Sequence, residues 1–294
     1  MSRFAQFRAF LALEPEELAQ HPLQPAPRPL RQGVQFHAVS FTYPGTERPA
    51  LDDINLVLRP GERVALVGEN GAGKTTLVKL LLGLYQPTAG VITVDGVDLR
   101  EIAPAAWRQE ATAIFQDFAR YPATALENIA YADIALLPVD ESDGVPAAAV
   151  AAAEQSGAAE VIAALPQRYA TLLGKEFEGG VELSSGQWQK LALARAYLRA
   201  AQIVVLDEPT AALDPRAEVE VYRQFAAAAA GRCAVFISHR LGSTRLAQRI
   251  VVLRGGRIIE EGAHLTLLEQ GGEYARMFRL QASWYAARSE KQAP

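Results

Sequence analysis

The segment that most constrains this chain is a glycine-rich loop between a short apolar run and a helix-forming run. Residues 63–67 have the pattern of a buried strand, and residues 76–82 are typical of a helix. The intervening residues follow the pattern G-x-x-x-x-G-K-[ST] and are Gly68, Glu69, Asn70, Gly71, Ala72, Gly73, Lys74 and Thr75. Strand, loop and helix in this order predict an α/β fold and argue against the alternative of a chance glycine-rich turn.

The composition of this loop predicts a site for the phosphates of a nucleotide. Glycines let successive backbone N–H groups point inward, and the following helix directs its positive N-terminus to the same place. In this arrangement Lys74 reaches the β- and γ-phosphates, and the Thr75 hydroxyl binds Mg²⁺. The loop therefore predicts that the ligand is a nucleotide, but it does not by itself predict the reaction.

The composition of the chain excludes several classes of protein to which it could otherwise belong. The chain has 294 residues, half of them apolar, so it can bury a large core in one large or two small domains. A formal net charge of −4 argues against a generally basic surface, and we expect no nucleic-acid partner. The single cysteine, Cys233, excludes an internal disulfide and a cysteine-based zinc site. No run approaches the roughly 20 apolar residues of a membrane span, and the N-terminus lacks the pattern of a signal peptide.

The pattern along the chain predicts a leading segment, a large domain and a short tail. Residues 1–32 are predicted to be an amphipathic helix followed by a proline-rich, extended linker, and the compact domain is expected to begin near Gly33. Residues 125–200 are rich in alanine and indicate an all-helical insertion, and a helix is predicted over 273–288. The predicted strands are 34–40, 51–58, 62–67, 91–94, 96–98, 111–115, 203–206, 234–237, 249–253 and 257–261.

A second motif restricts the reaction. Residues 203–206 form an apolar strand that ends in Asp207 and Glu208. Because ligands of parallel α/β sheets bind at the carboxyl ends of strands, Asp207 can hold Mg²⁺ beside Thr75. Glu208, one residue further on, can polarise an attacking water. The plainer alternative is an acidic helix N-terminus.

A third motif is Leu183-Ser184-Ser185-Gly186-Gln187, which opens a helix running to about Ala200. Ser184 or Ser185 can cap this helix, and the small residues leave backbone N–H groups open to a phosphate. Alone, the motif is most simply a serine helix cap. Its place some twenty residues before the Asp207–Glu208 strand favours a functional interpretation.

With these motifs in order, residues 33–285 resemble the nucleotide-binding domain of ATP-binding cassette (ABC) transporters. The resemblance also covers Tyr43, which in the family stacks on adenine, Gln116 of the Q-loop, the D-loop at 212–214 and His239. One departure is visible, because Ser185 replaces the first glycine of the family's usual Leu-Ser-Gly-Gly-Gln. Each residue keeps a plainer alternative: strand packing for Tyr43, a solvated loop for Gln116 and a structural role for His239. His264 has no partner that the sequence identifies.

The resemblance implies a P-loop NTPase core with a mixed sheet, an antiparallel β subdomain and an inserted α-helical subdomain. The implied core is 33–116 and 201–285, the helical subdomain with the signature is 117–200, and 286–294 is a tail. The implied ligands are ATP and Mg²⁺. The implied nucleotide-binding residues are Tyr43, Gly68, Glu69, Asn70, Gly71, Ala72, Gly73, Lys74, Thr75, Thr76, Ser184, Ser185, Gly186 and Gln187.

Hydrolysis is implied to use Glu208 as the base, with His239, Lys74 and Gln116, while Thr75, Gln116 and Asp207 hold the metal. The implied partners are a second ABC ATPase domain, identical or related, and the transmembrane domain of an exporter, at the cytoplasmic face of the cell membrane. Residues 10–16, 174–182 and 187–190 are similar to exporters of the multidrug and peptide type. The alternatives are an importer ATPase subunit, a soluble non-transport ABC ATPase and, less compatible with 183–187, a nucleotide kinase.

Overall fold

The computed structural model describes residues 23–137, 144–175, 179–207, 222–223, 225–227, 229–238 and 242–290, with the backbone alone for 284–290. The strands are β1 (Val34–Phe41), β2 (Leu51–Leu58), β3 (Arg63–Val67), β4 (Ala89–Val94), β5 (Val97–Asp98), β6 (Ala111–Ile114), β7 (Ile203–Asp207), β8 (Cys233–Ile237), β9 (Arg249–Arg254) and β10 (Arg257–Gly262). The helices are α1 (Lys74–Leu81), α2 (Pro104–Glu110), α3 (Ala125–Ala130), α4 (Ala147–Ser156), α5 (Ala158–Ala163), α6 (Ser185–Leu198), α7 (His264–Gln270) and α8 (Glu273–Glu290).

The strands form two sheets, as the α/β prediction with an antiparallel β subdomain required. The smaller sheet has the antiparallel order β2-β1-β4-β5. The larger sheet has the order β10-β9-β3-β8-β7-β6, in which β10 alone runs antiparallel to its neighbour. Strands β7 and β8 are buried at every position, which explains their continuous apolar sequence. The mixed sheet and the fold class are thereby confirmed.

The register of the parallel strands aligns their carboxyl ends at one edge of the larger sheet. Leu66 of β3 pairs with Ile237 of β8, and Ile237 of β8 pairs with Asp207 of β7. On the other side of β7, Leu206 pairs with Ile114 of β6. The loops that follow β3, β8, β7 and β6 therefore leave the sheet side by side, about 4.8 Å apart from strand to strand.

Four helices, α3 to α6, supply the helical part of the chain between β6 and β7. Their apolar faces share one buried cluster that includes Ile129, Ala153, Ile162 and Leu191. Thr124 and Glu127 form a capping box at the start of α3, which satisfies N–H groups that the helix itself cannot pair.

Two helices, α2 and α7, were not predicted from the sequence. Helix α2 is only seven residues long and is fixed by buried Trp107, whose Nε1 donates to the Leu81 carbonyl at 2.9 Å.

The proline-rich segment before β1 is bound to the domain. The backbone of Gln24 bonds to the backbone of Glu101 and Ala103. The Gln202 side chain, just before β7, accepts from the Leu30 N–H at 2.6 Å and donates to the Pro27 carbonyl at 3.0 Å. Arg28 pairs with the buried carboxylate of Glu110 at 2.9 Å. The linker is thus held in place from residue 24 onward, while the boundary at residue 33 stays a prediction.

A nearly buried ion pair joins the two sheets. The Arg249 guanidinium at the start of β9 donates to both carboxylate oxygens of Glu62, each at 2.7 Å, and also to the Val57 carbonyl in β2. The two side chains are each 12% exposed. Burial alone would raise the pKa of Glu62, but the hydrogen bonds and charge of Arg249 outweigh it and lower that pKa below its ordinary value of 4.5.

Within the described residues, no helix is long and apolar enough to cross a membrane. The predicted helix over 1–20 lies outside the described residues. So do most of the residues between β7 and β8.

The Glu62–Arg249 pair yields a stability prediction. We expect Glu62→Gln to lower the free energy of unfolding at pH 7 by about 2–4 kcal/mol, since Arg249 loses the less exposed of its two carboxylate partners and keeps only Glu261. Because the folded pKa of Glu62 is lowered, the pair stabilises fully above the unfolded pKa, and this contribution is lost as the pH falls through the folded pKa. Urea unfolding at pH 7 and at acid pH measures the difference in the free energy of unfolding between the variant and the parent chain. This difference should be smaller at acid pH. An equal difference in the free energy of unfolding at both pH values would contradict the stabilising role assigned to ionised Glu62.

The bound linker yields a second prediction. Gln202→Ala removes the bonds to Leu30 and Pro27, so residues 23–32 should detach more often and trypsin should cut faster after exposed Arg31. Gln167→Ala, an exposed glutamine far along the chain, is the matched control. Equal cleavage rates for the parent and Gln202→Ala would show that Gln202 does not hold the segment.

Candidate functional site

The loop between β3 and α1 is packed directly against other backbone. Gly68 has φ 153°, and a Cβ there would collide with the carbonyl oxygen of Leu253 at the end of β9. Gly73 has φ 104°, and its Cβ would lie 2.7 Å from the carbonyl oxygen of Ala50. The two glycines are therefore required by both backbone conformation and space. The loop conformation therefore depends on glycine at both positions, and phosphate binding by this loop stays a prediction.

Lys74 folds back over this loop. Its side chain is almost buried at the first position of α1, and Nζ donates to the carbonyls of Gly68 at 2.8 Å and Glu69 at 3.0 Å. Gly73 and Ala72 are buried, whereas Glu69, Asn70 and Gly71 are exposed at the tip of the loop. The cation is thus positioned at the loop that the helix N-terminus also makes positive.

Tyr43 lies beside the same helix. Its hydroxyl is 3.2 Å from Oγ1 of Thr76, and Nζ of Lys79 lies 5.8 Å from its ring centroid. Phe41 and Tyr85 contact the ring edge-on, with centroids 4.8 and 5.5 Å away. The ring is partly exposed, so it offers an aromatic surface next to the loop. No pattern in the sequence predicts that Tyr85 contacts Tyr43.

The neighbouring strand ends bring Asp207 and the segment with Gln116 to this edge. Asp207 ends β7 and is 5% exposed, and β8 alone separates β7 from β3, so about 10 Å separates the two strands. Gln116 follows β6 by two residues and is exposed. Ser238, buried directly after β8, precedes His239 in the chain. Glu208, His239 and the D-loop at 212–214 lie outside the described residues.

The available donors suit a hard divalent cation. Thr75 offers a hydroxyl, Asp207 a carboxylate and Gln116 an amide oxygen, which are the oxygen ligands that Mg²⁺ prefers. The described residues contain no group of three or more His, Cys, Asp and Glu side chains that could hold a metal on their own.

The signature segment begins α6 with a capping box. Ser184 Oγ accepts from the Gln187 N–H at 3.3 Å, and Gln187 Oε1 accepts from the Ser184 N–H at 2.8 Å. Ser184 therefore caps the helix, one of the two possibilities that the sequence left open. Ser185 is exposed, and its hydroxyl lies 3.5 Å from Nη2 of Arg120. A serine at this position thus fits the helix start, with its hydroxyl directed to solvent and Arg120.

One contact at the loop had no sequence signal. Arg276 in α8 lies 3.4 Å from the Glu69 carboxylate, and it also pairs with Glu273 in its own helix. Both Arg276 and Glu69 are well exposed, so the pair contributes little to stability. It shows, however, that the C-terminal helix lies against the phosphate loop.

Comparison with known proteins agrees with this geometry. A family model described as ABC transporter matches residues 51–211, more than half of the chain. An ATP-dependent lipid A-core flippase from Dechloromonas aromatica is 44% identical over 248 residues, which cover 84% of this chain and 41% of the relative. The subtilin transport ATP-binding protein SpaT from Bacillus subtilis is 39% identical over 276 residues, covering 92% of this chain and 43% of that protein.

A solved structure gives the same result. The structure of a bacterial Atm1-family ABC exporter with ATP bound superimposes with a TM-score of 0.81 and 34% identity, covering 95% of this chain and 47% of that one. The chain thus spans less than half the length of the proteins it matches. The family model and the relatives together show that the chain belongs to the ABC transporter family.

Proposed function

We propose that this chain is the ATP-binding and ATP-hydrolysing part of an ABC exporter, and that it dimerises around two ATP molecules to power transport. The observation that carries the proposal is the parallel register, which aligns the phosphate loop, Asp207 and the segment holding Gln116 at one edge of the sheet. The names of the relatives and of the structural neighbour support the exporter type.

In this proposal the loop binds the ATP phosphates through its backbone N–H groups. When ATP binds, Nζ of Lys74 gives up its hydrogen bonds to the two loop carbonyls and donates to phosphate oxygens instead. These oxygens carry a full negative charge and lie within reach of the same side chain. The N-terminus of α1 adds its partial positive charge. Tyr43 presents its ring to the adenine, with Phe41 and Tyr85 holding it from the edges.

Hydrolysis is assigned to residues that follow the strand ends. Glu208 orients and deprotonates the attacking water, and His239 donates to the γ-phosphate. Mg²⁺ supplies charge stabilisation when bound, and Thr75, Asp207 and Gln116 would hold it. Buried Asp207 at the end of a fully buried strand gives this group a fixed position, whereas exposed Gln116 can approach or leave.

The signature segment is proposed to act on a second ABC ATPase domain. The start of α6, with Ser184, Ser185, Gly186 and Gln187, would cover the ATP held by the partner's loop, with backbone N–H groups directed at the γ-phosphate. The proposed partners are a second copy or a close relative and a transmembrane domain, at the cytoplasmic face of the membrane. The transported substrate is a property of the transmembrane domain.

The first functional prediction concerns Lys74. We expect Lys74→Ala to weaken ATP binding about 10–100-fold, because a charge-assisted bond to phosphate is worth about 1.5–3 kcal/mol. Calorimetric titration with ATP measures it, and exposed Lys175→Ala is the matched control with unchanged affinity. Equal affinities for Lys74→Ala and the parent chain would remove Lys74 from the site.

The second concerns Glu208. Glu208→Gln should keep ATP affinity but slow hydrolysis by about 10²–10⁴-fold, the range typical of losing a general base, and should accumulate an ATP-bound dimer. Phosphate release without an added acceptor measures turnover and separates an ATPase from a kinase, and size-exclusion chromatography detects the dimer. Glu160→Gln, at an exposed carboxylate, is the control. Near-normal hydrolysis by Glu208→Gln would overturn the proposal.

A further inference from the structure

Four buried hydroxyl groups connect the end of β8 to the C-terminal helices. Ser243 Oγ donates to Ser238 Oγ at 2.8 Å, and the hydroxyls of the neighbouring Thr244 and of Tyr274 lie 2.7 Å apart. Ser238, Ser243, Thr244 and Tyr274 are all at most 3% exposed. Nδ1 of His264 lies a further 2.7 Å from the Tyr274 hydroxyl. We call these five residues the hydroxyl cluster.

The cluster joins elements that are distant in sequence. Ser243 and Thr244 begin a 3₁₀ turn over Ser243–Leu246, His264 is the first residue of α7, and Tyr274 lies in the first turn of α8. Glu260 of β10 accepts from the backbone N–H of Glu273 and, at 2.9 Å, of Tyr274. A carboxylate at the start of α8 satisfies N–H groups that the helix cannot pair and so fixes the position of Tyr274.

The cluster is uncharged at neutral pH. Burial, together with the nearby Arg245 charge, lowers the pKa of His264, and burial raises the pKa of the Tyr274 hydroxyl. The Tyr274 hydroxyl has one proton, so it donates a hydrogen bond to one of its two partners, Nδ1 of His264 or Oγ1 of Thr244, and accepts one from the other. The His264 ring also contacts the Phe278 ring edge-on at 5.2 Å, which restrains its orientation.

We propose that Tyr274 and the Ser243–Thr244 turn are positioning residues for ATP hydrolysis, which act by holding Ser238, the residue next to His239 in the chain. Ser238 precedes His239 directly and is hydrogen-bonded to Ser243, while Thr244 of the same turn is held by Tyr274. Helices α7 and α8 thereby act on the nucleotide site from outside it. The inference rests on the proposed role of His239 in hydrolysis.

The test variant is Tyr274→Phe in the 294-residue chain, which deletes one oxygen and keeps the ring. We expect kcat for ATP hydrolysis to fall about tenfold, because a small misplacement of a group that contacts the reacting phosphate slows the reaction strongly. KM and calorimetric ATP affinity should stay within about twofold, since Lys74 and the loop are unchanged.

The matched control is Tyr197→Phe. Tyr197 is also buried, in α6, and its hydroxyl has no hydrogen-bond partner among the described residues. We expect Tyr197→Phe to leave kcat unchanged. Thermal unfolding of both variants separates a change of stability from a change of rate. An unchanged kcat in Tyr274→Phe, or equal losses in both variants, would overturn the proposal.

A second pair of variants tests the hydroxyl itself. Thr244→Val keeps the shape and removes the hydroxyl, so it should lower kcat like Tyr274→Phe, whereas Thr244→Ser should restore the rate. Equal rates for the valine and serine variants would contradict the proposal.

The variant His239→Ala separates the proposed role of His239 in hydrolysis from the proposed positioning role of Tyr274. If His239→Ala hydrolyses ATP normally, the proposed role of His239 fails. If His239→Ala is slow, adding Tyr274→Phe should cause no further loss of kcat, because both changes act through one group. A further tenfold loss in the double variant would reject the positioning role alone.

Discussion

The close approach of the phosphate loop to two backbone carbonyls is the constraint on which the rest of the site depends. Leu253 at the end of β9 excludes a side chain at Gly68, and Ala50 just before β2 excludes one at Gly73. Leu253 lies in the larger sheet and Ala50 directly precedes a strand of the smaller sheet, so the loop packs against the backbone of both parts. The Gly256 N–H also donates to the Ala72 carbonyl at 3.2 Å. The nest of N–H groups is thus a product of tertiary packing as well as of a local motif.

The same constraint explains the electrostatics of the loop. A nearly buried ammonium group is costly unless it is hydrogen-bonded, and Lys74 meets this need with two loop carbonyls. A phosphate that enters the loop replaces bonds to neutral oxygens with bonds to charged ones, which are about twice as strong. The net gain on binding is therefore smaller than a bare lysine–phosphate pair would give. Much of the affinity and the orientation of the phosphates then come from backbone N–H groups that need no rearrangement.

Local patterns sufficed where the structure depends on local chemistry. Strands β3, β7 and β8 are short apolar runs buried on both faces, and the glycine spacing before Lys74 is visible in the sequence, although tertiary packing completes the loop. Sequence reasoning failed where one partner is far away in the chain. Helix α2 needs the Trp107–Leu81 bond, and the linker needs Gln202. The contact of Arg276 with Glu69 and that of Tyr274 with Thr244 likewise join distant segments and have no periodicity to reveal them. Glu208 and His239 stay predictions.

The two ends of strands β6 and β7 carry different tasks. Glu110 and Gln202 lie just before these strands and hold the linker, whereas Gln116 and Asp207 lie at or beyond their carboxyl ends. A five-residue strand spans about 17 Å, so the linker contacts lie at one end of these strands and the nucleotide edge lies at the other end. A membrane domain attached through the linker would therefore leave the phosphate loop open to nucleotide.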